Sequence, residues 1–205
     1  AENTLQFRWI VTIEGGLDAL FADDLNVFVA GDLLWYPVDG DPTTRVAPDA
    51  MVVFGRPKGE RGSYRQWEEE GIAPQVVFEV LSPGNRSGEM QRKLRFYEQY
   101  GVEEYYIYDP ENSSLVGWER AGDALVTIPR MEGWVSPRLQ VTFHVDGNDL
   151  RLSGPDGRLF VSYLELAAQR EEEERKRKEA DKRRLRAEKL RQKAEQQKRE
   201  EERRR

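Results

Sequence analysis

A chain of 205 residues has room for one ordinary domain and an appendage, and without cysteine it forms neither a disulfide nor a thiolate metal site. Of its 32 basic and 38 acidic residues, 17 and 11 fall in residues 170–205, so residues 1–169 keep 15 and 27, a net charge of −12 against +6 for the end of the chain. An acidic body excludes a protein that coats duplex nucleic acid by charge alone.

No apolar run approaches the roughly 20 residues that span a bilayer, and AENTLQFRWI lacks the basic and apolar regions of a signal peptide. The expectation is a soluble, cytoplasmic protein. Residues 5–22 place Leu5, Trp9, Ile13, Leu17, Leu20 and Phe21 on one helical face, with Gly15 and Gly16 as a weak point in its middle. Residues 26–36 and 49–55 read as strands joined by the turn-rich PVDGDPTTR. Residues 56–73 are polar and arginine-rich around Tyr64 and Trp67, which predicts a loop with a short helix.

QVVFEVL (75–81) is an apolar run broken only by Glu79, the pattern of a strand buried on both faces. A Ser-Pro-Gly turn, a helix over 87–100 stopped by Gly101, and a strand over 103–109 follow. Strand, helix and strand in so short a span form a right-handed crossover with parallel strands. Four short segments (114–120, 123–129, 138–145 and 149–153) look like antiparallel strands.

From Val161 the composition changes, and 28 of the last 36 residues are charged. Ala180, Ala187, Leu190 and Ala194 keep a faint heptad spacing, but Arg183 and Gln197 stand where a second apolar seam belongs. The segment predicts a long charged helix held by i,i+4 pairs, or a solvated tail. The division is a domain over 1–160 and a charged helical tail, at best weakly coiled, over 161–205.

Glu79 is the residue that needs explaining. An ionised carboxylate buried without a partner costs several kcal/mol or takes up a proton. Pro48-Asp49 begins the neighbouring strand, so two carboxylates converge at adjacent strand ends and repel unless a cation sits between them. Asp49, Glu79 and a backbone carbonyl near Val80 offer oxygen only, which suits Mg²⁺ or Mn²⁺. Such an ion activates water and stabilises charge on a phosphoryl oxygen, and Lys93 on the following helix stands where it can assist. The plainer readings are a buried acid paired with a basic residue for Glu79, a turn residue for Asp49, and an i,i+4 partner of Glu89 for Lys93, whose role Arg92 or Arg95 could also take.

VAPDAMVVFG, SYRQWEEE and FEVLSPGNRSGEMQRKLRFYEQYGVEEYYIYDP together closely resemble the bacterial Uma-type family of restriction-endonuclease-like proteins, whose fold belongs to the PD-(D/E)XK nuclease superfamily. The resemblance covers about residues 5–152. It implies that Asp49 is the first acid of the motif and Glu79 the second. The motif's lysine would fall at position 81, which is Leu81 here; a lysine moved to the next helix lands on Lys93. Asp32, which interrupts the strand VAGDLL, is a further candidate acid.

The fold expected is α/β, restriction-endonuclease-like: a mixed central sheet flanked by helices, an antiparallel extension and a long charged C-terminal helix. The activity expected is metal-dependent hydrolysis of phosphodiester bonds in DNA. Nine of the 15 basic residues of the body fall within 45–95 (Arg45, Arg56, Lys58, Arg61, Arg65, Arg86, Arg92, Lys93 and Arg95) beside only seven acids. The alternative is a non-catalytic nuclease fold that forms a homodimer or recruits a partner through its tail, and a third reading makes the tail a nucleic-acid clamp. Tyr105, Tyr106 and Tyr108 read as packing. Trp67 with Tyr64 covers a sheet edge or closes over the site. His144, the lone histidine, supports neither a triad nor a histidine metal site.

Overall fold

The computed structural model describes residues 3–84, 87–145 and 150–204. They divide into a unit over residues 1–161 and a second over residues 162–205. In chain order, α1 (Thr4–Leu20) is followed by β1 (Val27–Ala30), β2 (Trp35–Tyr36), β3 (Ala50–Phe54), β4 (Tyr64–Arg65), a 3₁₀ turn (Gln66–Glu68), β5 (Val76–Val80), α2 (Ser87–Gln99) and β6 (Glu104–Asp109). The strands β7 (Ser114–Ala121), β8 (Ala124–Thr127), β9 (Thr142–Val145) and β10 (Leu150–Ser153) complete the first unit, and α3 (Tyr163–Arg204) forms the second.

Six strands make one mixed sheet in the order β1-β3-β5-β6-β7-β8. Only β5 and β6 are parallel, joined by α2 as the crossover; every other neighbouring pair is antiparallel. All five residues of β5 are buried, as expected of a central strand covered on both faces. Side chains alternate across the pleat. Val76, Phe78 and Val80 join the apolar cluster of one face with Ile10, Ile13 and Leu17 of α1, whereas Val77 joins the other with Tyr97 of α2. Glu79 is therefore aimed at the α2 face.

Asn3 caps α1, its side chain accepting from the Gln6 amide at 2.7 Å. The helix runs unbroken through Gly15-Gly16. The ring of Phe160 explains Gly16, because a Cβ there would stand 2.3 Å from that ring. The β9-β10 hairpin sits beside α1 on the same face, contributing Phe143, Leu150 and Leu152 to its core. On the α2 face lies a second small sheet, β2 paired in parallel with β4.

Several boundaries differ from the sequence reading for local reasons. The strand expected over 26–36 is two: Asp32 has φ of 50°, and this left-handed residue turns the chain out of the main sheet before Trp35. Residues 56–73 hold a strand as well as a helical turn, because Tyr64 is wholly buried beneath the small sheet. Of 138–145, only 142–145 pairs as a strand. Arg86 and Asp149 lie outside the described residues, as do the side chains of Ala194 and Gln197.

The second unit is one helix of 42 residues, about 63 Å long at 1.5 Å per residue. A capping box starts it: the Glu165 amide donates to Ser162 Oγ at 3.3 Å while Glu165 Oε2 accepts from the Ser162 amide at 2.8 Å. Glu172 pairs with Arg175, and Glu174 with Lys178. Leu185 and Leu190 are exposed, so nothing within this unit covers an apolar seam. No helix among the described residues is long and apolar enough to cross a membrane.

Candidate active site

Antiparallel pairing of Ala50 with Phe78 places Asp49 opposite Glu79 at the next step of the ladder. The α2 helix then brings two side chains one turn apart onto the same point. Lys93 Nζ donates to Glu79 Oε2 at 2.7 Å, and Tyr97 OH donates to Glu79 Oε1 at 2.5 Å. Asp49 Oδ2 accepts from the amide of Val80 at 2.7 Å, and the Asp49 and Glu79 carboxyls are themselves within hydrogen-bonding reach.

Glu79 is 2 % exposed. Burial pushes its carboxyl up to about 7; the charge of Lys93 opposes that rise and the charge of Asp49 adds to it. Burial raises Asp49 as well, against the Val80 amide and Lys93, which favour its ionised form. Two carboxyls this close both stay ionised only if a cation compensates them; otherwise they share a proton. Tyr97 is fixed by its neighbours, stacked on Trp35 with ring centroids 6.3 Å apart and edge-on to Tyr105 at 4.8 Å.

The structure thus brings Asp49, Glu79 and Lys93 together and pairs Lys93 with Glu79, 14 residues away in sequence, rather than with Glu89. Arg92 and Arg95 are exposed on the far side of α2. Asp32 lies at the rim of the same sheet face, where its amide donates to Pro48 O at 3.0 Å. Among the described residues, no hydrogen bond or ion pair joins its side chain to Asp49 or Glu79. The carbonyl of Val80 accepts from Gln6 Nε2 of α1 at 2.7 Å, leaving one of its two lone pairs.

Two residues of this cluster escaped the sequence reading. Tyr97 carries a faint signal, four residues after Lys93 and so on the same helical face. Gln6 carries another, a polar side chain four residues before Ile10 on the buried face of α1.

The donor set is oxygen only, with two carboxylates and a carbonyl. That fits Mg²⁺ or Mn²⁺ in the mode in which one or two carboxylates hold the ion and water or phosphate completes the shell. Among the described residues no three carboxylate or histidine groups converge into a closed metal cage, so a shell completed from outside the protein is the mode left open.

The basic residues of 45–95 do not all face this point. Arg56 and Arg61 close on Glu69 at 2.8 and 2.6 Å, and Lys58 pairs with Asp18. Tyr105, Tyr106 and Tyr108 are buried, and His144 meets Ser153 on the β9-β10 hairpin at 3.0 Å. A hollow of about 650 Å³ lies at the opposite end of β6 from the carboxylates, lined by Glu103, Glu104, Arg120 and Arg138. Its two arginines are spent internally: Arg138 on Glu103, Arg120 on the carbonyls of Val102 and Glu98.

Residues 8–146 match the family described as "Uma2: Putative restriction endonuclease". The chain belongs to the Uma2 family. The match takes in α1 from Arg8 onward, β1 to β9, and Asp49, Glu79, Lys93 and Tyr97. Among solved structures the chain is similar to one described as a "putative nuclease belonging to DUF820" from Anabaena variabilis. The two are 13 % identical with a TM-score of 0.46, over 64 % of this chain and 71 % of that one. No curated protein matches the chain. In this Uma2 protein Leu81 stands two positions after Glu79, and the amine beside Glu79 comes from Lys93 of α2.

Proposed function

We propose that this Uma2 protein is a metal-dependent endonuclease that hydrolyses phosphodiester bonds in DNA. The observation that carries the reading is one point on the α2 face where a buried Glu79, Asp49 and Lys93 meet. A Mg²⁺ or Mn²⁺ ion, when bound, supplies a polarised water and charge stabilisation at the phosphoryl oxygen. Asp49 and Glu79 would hold it, with the free lone pair of the Val80 carbonyl as a third oxygen. Lys93 leaves Glu79 for the attacking water or the phosphate oxygen, and Tyr97 keeps Glu79 oriented meanwhile. The domain over 1–160 carries this site, and the tail over 161–205 is an appended module.

A second reading keeps the fold without the chemistry. The observation that favours it is the closed Lys93–Glu79 pair, which already neutralises the buried acid. The charged α3 helix would then serve to form a homodimer or recruit a partner.

Nicking of supercoiled plasmid by the full chain with Mn²⁺, Mg²⁺ or EDTA, beside Glu79→Gln, tests the choice. Metal-dependent nicking that the variant lacks supports the nuclease. No nicking and no Mn²⁺ binding by calorimetry from folded protein overturns it in favour of the second reading.

A further inference from the structure

The small β2-β4 sheet is two-sided in a way the proposed chemistry does not use. Parallel pairing sets Trp35 beside Tyr64 and Tyr36 beside Arg65. Trp35 and Tyr64 are wholly buried and face inward, so that Trp35 stacks on Tyr97. Tyr36 and Arg65 face outward and line a groove of about 340 Å³ with Asp41, Pro42 and Trp67, a volume at the lower end for a small-ligand site. Trp67 is 37 % exposed, although an indole gains strongly from burial. Gln66 anchors the turn that carries it, accepting from Trp35 Nε1 at 3.1 Å and donating to Gly71 O at 2.9 Å.

We infer that this groove binds an unpaired nucleobase of a DNA strand, stacked on Trp67 and Tyr36, with its phosphate on Arg45 or Arg65. The inference rests on the nuclease reading for its substrate class. An exposed indole and a half-buried phenol on a fixed wall form a stacking surface that accepts any base face, and a base inside a duplex is not free to enter it. Arg45 lies over the Tyr36 ring at 5.9 Å and donates to its hydroxyl at 3.3 Å. Arg65 is held only by an exposed pair with Glu68 at 3.1 Å, a contact of the kind worth little in water and readily exchanged for a phosphate. Asp41 on the wall accepts from the hydroxyls and amides of Thr43 and Thr44, which hold its carboxyl well below the usual range. That fixed negative charge keeps a run of phosphates from crossing the groove, so the groove takes the base and the arginines at its edge take the backbone. The inner side of the same sheet touches Tyr97, so the groove and the Glu79 cluster stand on one sheet face.

The test is fluorescence anisotropy of the full chain, in EDTA, with a labelled oligothymidine of about 20 nucleotides and a duplex of equal length. Wild type is expected to bind the single strand more tightly than the duplex. Trp67→Ala and Tyr36→Ala are each expected to weaken single-strand binding about fivefold or more, leaving duplex binding within about twofold. Trp67→Phe, which keeps a stacking face, stays close to wild type and controls for folding. The inference is overturned if wild type does not bind the oligothymidine, if both alanine variants bind it as wild type does, if single-strand and duplex binding fall together, or if Trp67→Phe loses as much as Trp67→Ala. Because EDTA prevents cleavage, binding is read without the nuclease activity, so loss of the one registers separately from loss of the other.

Discussion

Lys93 and Tyr97 stand one turn apart on α2 and take opposite oxygens of the same buried carboxylate, at 2.7 and 2.5 Å. Glu79 thereby meets the two conditions that let an acid persist inside a sheet: an opposite charge and a donor on each oxygen. The two contacts differ in kind. The amine is 19 % exposed at the edge of the cluster and can move to another anion. The phenol is wholly buried between Trp35 and Tyr105 and cannot.

Tyr97→Phe keeps the ring packing and removes only the donor. Leaving a buried acceptor short of a partner costs about 1–3 kcal/mol. The expected result is a lower urea midpoint at pH 7 with an unchanged slope. A midpoint equal to wild type would show that the phenol does not support Glu79.

Lys93→Met is expected to slow plasmid nicking about 100-fold or more, the loss seen when a preorganised donor to a developing oxyanion is removed. Lys93→Arg is expected to recover part of the rate. Arg92→Gln and Arg95→Gln, both on the exposed side of α2, are expected to nick within a few-fold of wild type. Equal loss in all three positions would mean that α2 contributes general positive charge and not a positioned amine. The comparison is made on initial rates at saturating Mn²⁺.

The sequence made the sheet order around the site readable because β5 and β6 are buried runs separated by one amphipathic helix, and only a parallel crossover joins such strands. Glu79 stood out because a charge interrupts an apolar run, whereas Asp49, at a strand start, and Lys93, on the next helix, were set beside it by the resemblance to the family's motif. The small β2-β4 sheet was not readable. Its strands have two residues each, too short for alternation to register, and its existence depends on Trp35 pairing with Tyr64 and stacking on Tyr97 of α2, both far along the chain. The clustering of nine basic residues misled in part, because charge density along the chain does not say which arginines, such as Arg56 and Arg61, are already committed to Glu69. Gln6 was hidden because its partner is a backbone carbonyl, which no side-chain pattern encodes.

Truncation after Val161 tests the proposed division of the chain. Residues 1–161 form a compact unit of their own, and α3 is held by its capping box and by exposed pairs such as Glu174–Lys178, each worth only about 0.3–0.5 kcal/mol. The shortened chain is expected to keep the near-ultraviolet dichroism and thermal midpoint of the full chain while losing helical signal at far-ultraviolet wavelengths. A midpoint lowered by more than about 4 °C, the upper end of the shift that 1 kcal/mol produces in a domain of this size, would show that the helix supports the first unit. Sedimentation of both forms checks the homodimer: if the tail joins two copies, only the full chain sediments as a dimer.

Glu69 supplies the pH dependence whose sign is clearest. The Arg61 guanidinium, opposed by partial burial and helped by Arg56, holds its carboxyl below the usual value of 4.5. A carboxyl depressed in the folded state contributes stability that is fully present above its unfolded pKa and disappears as pH falls through the lower folded value. Glu69→Gln is therefore expected to unfold more easily than wild type at pH 7, by about 1 kcal/mol after allowance for solvent screening of the exposed side of the cluster. The difference is expected to narrow as both proteins are taken below about pH 4. Urea midpoints measured across that range decide it. A gap that stayed constant into acid would assign the loss to side-chain packing in the loop over 56–73 and not to the charge on Glu69.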